Sequence, residues 1–142
     1  MSKQEWIDWN LNTYKAADKD VIEFIANVLY HSGAENSETI RRLYHCGYCY
    51  YFALMLKDAF NRGTICYAYY EGHIVWLDGT DASKDIAYDI DGVSKCWEYL
   101  IPIEKLGTGI LDFKHIPHVQ SEMTDTEIDK LLVSIIETKQ YT

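Results

Sequence analysis

The sequence lacks any apolar run approaching the ~20 residues that a membrane-spanning helix needs. It also lacks an apolar signal core: the N-terminus reads Met1-Ser2-Lys3-Gln4-Glu5-Trp6-Ile7-Asp8, so secretion is not expected. Positive charge is scarce, with 13 Lys and Arg against 22 Asp and Glu and a net charge of -9. Polyanions are therefore repelled, and no basic cluster larger than Arg41-Arg42 offsets this. Nucleic acid and membrane surfaces are accordingly not expected as partners. No internal repeat, low-complexity tract or linker interrupts the 142 residues, a length suited to a single domain over 1–142. There are only four cysteines, Cys46, Cys49, Cys66 and Cys96. In a chain of this size without a signal they read as reduced thiols of a cytoplasmic protein, not as a disulfide framework.

What is present reads as a globular α+β chain, with 48% hydrophobic and 25% charged residues arguing against disorder. Residues 4–15 carry Trp6, Ile7, Trp9, Leu11 and Tyr14 in a helical mixture. Residues 19–31 place Val21, Ile22, Phe24, Ile25, Val28 and Leu29 at spacings of three and four, behind a cap at Asp18 or Asp20 and ahead of Ser32-Gly33. A short helix is expected near 37–44. The most apolar helix is expected over 49–61, stopped by Asn61-Arg62-Gly63. The period then changes to two. Residues 64–70 and 73–78 read as a hairpin around Glu71-Gly72, and 86–91 as a third strand ended by Gly92. Further extended segments are expected at 96–103 and 110–119. A capping box at Thr124-Asp-Thr-Glu127 predicts a closing helix with Ile128, Leu131, Leu132, Ile135 and Ile136 on its apolar face. Helices, then an antiparallel sheet, then a final helix make an α+β order.

Cys49 falls in the first turn of the apolar helix. Orphan N–H groups and the helix dipole favour negative charge there, which suits a thiolate nucleophile. The same N–H groups suit the oxyanion of an attacked carbonyl. Such a nucleophile needs an imidazole, and the imidazole needs an acceptor that fixes its tautomer. His73 opens the second strand. Asp89 and Asp91 share one face of the third strand, because side chains two apart point the same way. Either carboxylate can serve as that acceptor, and Asp89 is preferred. Tyr48, Tyr50, Asp91 and Trp76 are the residues expected to line a substrate site, tyrosine offering an apolar face with a polar tip.

Cys46-Gly47-Tyr48-Cys49-Tyr50 resembles the local signature around the papain-type nucleophile, Cys-Gly-(Ser/Ala)-Cys-(Trp/Tyr), with Tyr48 in place of the small residue. The order Cys helix, His strand, Asp strand is similar to the compact core of the wider papain-like group, including transglutaminase-like domains. There, His73-Ile-Val-Trp-Leu-Asp-Gly79 and Ala87-Tyr88-Asp89 match the aromatic-rich His strand and the following Asp strand. The resemblance covers roughly residues 43–92. It implies a cysteine hydrolase or acyltransferase acting on an amide or thioester of a peptide or small molecule, with no cofactor and no metal. Two features depart from papain. The Cys-to-His interval is 24 residues, and Leu43 stands where an oxyanion-hole Gln belongs.

Three other readings use the same residues. A catalytically inactive binding or inhibitor module would present the tyrosines around Cys49 to a protein partner or small molecule. Cys46-x-x-Cys49 at a helix start also resembles a thiol redox motif, but that fold needs a buried strand just before it, where residues 37–45 read as a polar helix. Cys46, Cys49, His115 and His118 have zinc-ligand spacing, but such sites usually sit on tight knuckles in core-poor domains.

Overall fold

The computed structural model describes residues 1–45, 48–96 and 98–105. The extended segment expected at 110–119 and the helix expected after Thr124 lie outside these residues, as do Cys46, His115 and His118.

Four helices come first. Helix α1, Lys3–Thr13, opens with a capping box in which Ser2 and Glu5 satisfy each other's backbone N–H groups. In α2, Lys19–Leu29, the Asp18 side chain accepts from the N–H groups of Asp20 and Val21, so Asp18 is the cap. The face of α2 carrying Val21, Ile22, Phe24, Ile25, Val28 and Leu29 is buried, as the spacing requires. Helix α3 spans Ser37–His45 and α4 spans Cys49–Phe60. Asn61 ends α4 in the left-handed conformation at φ 51°, satisfying a last-turn carbonyl through its N–H to Lys57.

The sheet follows. Strand β1, Thr64–Ala68, pairs antiparallel with β2, His73–Leu77, and Ala68 faces His73 across the hairpin. Tyr69 and Tyr70 belong to the turn rather than the strand and are exposed. Strand β3, Ala87–Asp89, stops two residues short of the expected end. Ile90 and Asp91 form a turn into β4, Gly92–Val93. The extended segment expected at 96–103 narrows to β5, Leu100–Pro102, a sheet edge where Pro102 removes no central hydrogen bond. The order is β4-β3-β2-β1-β5 with every pairing antiparallel. Among the described residues, four α-helices beside a five-stranded antiparallel sheet make the α+β class expected from the sequence.

One sheet face buries Ile65, Ile74, Trp76 and Tyr88 against the apolar sides of α2, α3 and α4. On the other, Cys66, Val75, Leu77 and Ala87 form a smaller cluster covered by Cys96 and Leu100. Strand β2 is thus buried at all five positions. Among the described residues no helix is long and apolar enough to cross a membrane.

Candidate active site

Cys49 is the first residue of α4, and no side chain caps that helix start. It is largely buried, with 8% of its surface exposed. His73 is the first residue of β2 and is 5% exposed; Asp89 is the last residue of β3 and is 4% exposed. The fold places all three together.

The register explains how. Leu77 faces Ala87 and Trp76 faces Tyr88 across the β2–β3 pair. Alternation then puts His73 on the face of Leu77 and Asp89 on the face of Ala87, so both side chains stand on one side of the sheet. Asp89 is a diagonal neighbour of His73, within reach of long side chains. His73 Nε2 and Asp89 Oδ2 are 3.2 Å apart and share a buried hydrogen bond. Asp89 is itself held in place: Ser94 Oγ donates to Oδ2 at 2.9 Å, and the Asp91 N–H donates to Oδ1 at 2.9 Å. Ser94 Oγ in turn accepts from the Cys96 N–H at 3.0 Å.

Cys49 lies near enough to the imidazole to influence its protonation. Burial alone would push the His73 imidazolium down. The hydrogen bond to Asp89 with its negative charge, and after it the influence of the Cys49 side chain, outweigh burial and lift the pKa to about 10. Cys66 is pushed up to about 11 by burial, and Cys96 to about 11 by burial and by the nearby charges of Asp89 and Glu71.

Asp91, the other carboxylate read from the sequence, turns to a different partner. Its Oδ1 lies 3.3 Å from Arg41 Nη1 and its Oδ2 lies 3.2 Å from His45 Nδ1. Burial works against its charge, but His45 and Arg41 outweigh it and keep the carboxyl below its ordinary range. Tyr48 immediately precedes Cys49 and Tyr50 follows it. Both are half-buried, and both pack against the exposed ring of Tyr51 at 5.7 and 5.8 Å. Trp76 lies elsewhere. Its ring is fully buried, stacked on Phe60, and its Nε1–H donates to the Arg62 carbonyl at 2.9 Å. It therefore has no surface to offer a substrate; the alternation that places His73 on one face sends Trp76 to the other.

Two neighbours were not singled out in the sequence. Ser94 orients Asp89. His45 lies against His73, the two rings tilted by 39° with centroids 4.8 Å apart. The only sequence hint of His45 is its position four residues before Cys49, across a helix break that hides the proximity. The segment preceding Cys49 is helix α3, not the buried strand that a thiol redox fold requires.

No curated protein and no solved structure matches the chain. A family model described as Phage YunG-like protein matches residues 26–133, a stretch that begins within α2 and contains Cys49, His73 and Asp89. That match covers well over half of the sequence, so the chain belongs to the Phage YunG-like family.

Proposed function

We propose that this protein is a cysteine-dependent hydrolase or acyltransferase acting on an amide or thioester of a peptide or small molecule in the cytoplasm. The observation that carries the reading is the buried His73, bonded to Asp89 at 3.2 Å and near enough to Cys49 to be influenced by its side chain. Cys49 Sγ attacks the carbonyl carbon, and the carbonyl electrons move to oxygen. The N–H groups of the first turn of α4 lie beside the nucleophile, suited to hold that oxyanion in place of the absent Gln. The His73 imidazolium then gives its proton to the departing amine or thiol, leaving an acyl-cysteine. Water or another acceptor attacks this intermediate, with His73 taking the proton, and free Cys49 returns. Asp89 holds the ring in position and stabilises its charged form, and Ser94 holds Asp89.

A panel of amide and thioester substrates, followed by intact mass, tests this. A transient acyl adduct on Cys49, abolished in Cys49→Ala and reduced at least about 100-fold in His73→Ala, is the expected result. No adduct on any substrate, with an unreactive Cys49 thiol, favours the second reading: an inactive binding module presenting Tyr48, Tyr50 and Tyr51 to a protein or small-molecule partner. The observation behind that alternative is the exposed Tyr51 ring with its two tyrosine neighbours beside Cys49.

A further inference from the structure

The cluster around His73 holds more donors than a Cys-His-Asp triad needs. One ring nitrogen of His45, one of His73 and one oxygen of Asp89 all lie within 4.8 Å of one another. Two imidazoles and a carboxylate are the donor set of many zinc and other divalent transition-metal sites. We propose that His45, His73 and Asp89 form a three-ligand site for a divalent cation of the Zn²⁺ type, and that loading it withdraws His73 from the thiol chemistry. The metal site stands on its own geometry; only its inhibitory consequence rests on the hydrolase reading.

The spacing suits this. Ligands about 2.0–2.1 Å from a tetrahedral zinc lie about 3.3 Å from each other, and His73 Nε2 and Asp89 Oδ2 are already 3.2 Å apart. The metal would replace the proton that those two atoms share, and that proton leaves to solvent. The third ligand is the adjustable one. His45 is the last residue of α3 and is half-exposed, so its ring can close a gap of about 1.5 Å, whereas His73 and Asp89 are buried. Its Nδ1 is buried without an aligned hydrogen bond, although Asp91 Oδ2 lies 3.2 Å away.

The surroundings also suit a cation. Asp91 stands behind His45, and Ser94 and the Asp91 N–H orient Asp89, which is how outer groups usually hold metal ligands. Arg41, 3.3 Å from Asp91, is the one positive side chain among these contacts and faces the carboxylate that does not ligate. Three protein ligands leave a fourth position open. Metal on Nε2 would fix the remaining His73 nitrogen as N–H, a donor that cannot accept a proton. The transfers between His73, Cys49 and the acyl acceptor would stop.

The test measures Zn²⁺ binding by calorimetry and Co²⁺ binding by visible absorption, on the full chain and its Cys49→Ser, His45→Ala, His45→Gln and Asp91→Asn variants. One metal ion per chain is expected. Cys49→Ser should bind within about threefold of the parent. Either His45 variant should bind at least about 100-fold more weakly, and Asp91→Asn about 10-fold more weakly, the range for losing an outer partner. The Co²⁺ spectrum should lack a thiolate-to-metal band. Circular dichroism selects the His45 variant that folds, and glutamine fills much of the ring's space. Zn²⁺ should slow alkylation of Cys49 at least tenfold in the parent and not in that variant. Equal binding by parent and His45 variants, or binding lost in Cys49→Ser with a thiolate band in the parent, overturns the metal site. Binding that leaves Cys49 alkylation unchanged overturns the inhibitory consequence. Slow Cys49 alkylation in metal-free protein refutes the hydrolase reading instead, independently of metal binding.

Discussion

Alkylation by iodoacetamide reads the proposed nucleophile directly, because only the thiolate reacts at an appreciable rate. Cys96 is the useful internal standard: it is part-exposed, and its pKa of about 11 means that roughly one molecule in 10⁴ is ionised at pH 7. A Cys49 thiolate fully held by the His73 imidazolium would have a 10⁴-fold advantage in thiolate fraction. Part of that is lost, because a stabilised thiolate is a weaker nucleophile. With a Brønsted coefficient of about 0.5 over about four pH units, the net preference is about 100-fold. The pH profile is sharper still. Between pH 6 and 8 the Cys96 rate should rise about tenfold per unit, and a clearly shallower slope at Cys49 is the result expected of the proposed pair with His73. Peptide mass spectrometry after brief labelling resolves the sites. Equal, slow labelling of Cys49 and Cys96 with the same tenfold slope would refute the ion pair. Loss of the preference in His73→Ala, with the fold intact by circular dichroism, would assign it to the imidazole rather than to the helix start.

Two further predictions concern stability. The folded-state pKa of His73, about 10, lies above the unfolded value of about 6.5. Its contribution is therefore complete below pH 6.5 and is lost as pH rises toward 10. In the Cys49→Ser background the window should close below pH 10, because the share of the shift that Cys49 supplies is gone, and urea unfolding should show stability falling by up to about 1.4 kcal/mol per pH unit within it. Asp89→Asn should flatten the slope, and an unchanged slope would show that Asp89 is not what holds the charged imidazole. Gly92 opens β4 at φ +98°, and a side chain there would run into the carboxamide of the fully buried Asn10. Gly92→Ala should therefore cost about 2–3 kcal/mol in urea unfolding; a change under about 0.5 kcal/mol would mean that α1 yields freely against the β3–β4 turn.

Much of this protein follows from local rules in the chain itself. Apolar residues three and four apart in 19–31 can be buried together only on a helix, and α2 is that helix. Period-two patterning with Glu71-Gly72 between its halves makes the β1–β2 hairpin, Gly72 supplying a positive φ of 62°. Cys49 at a helix start and His73 at a strand start follow from the same patterns, since each element begins where its periodicity begins. The choice between Asp89 and Asp91 does not. Both have the parity to face His73, and the decision comes from where β3 ends: Asp89 stays in the sheet beside the imidazole, while Asp91 enters the turn and meets Arg41 and His45. Trp76 reads like a site residue from its neighbours in the chain, yet strand alternation carries its ring to the helix-covered face. His45 is invisible to periodicity, because its contact with His73 joins the end of α3 to the start of β2. Local sequence decides which elements form and what each presents. Which side chains meet at the end of the sheet depends on register and on where strands stop, and those are settled only when the helices and strands pack.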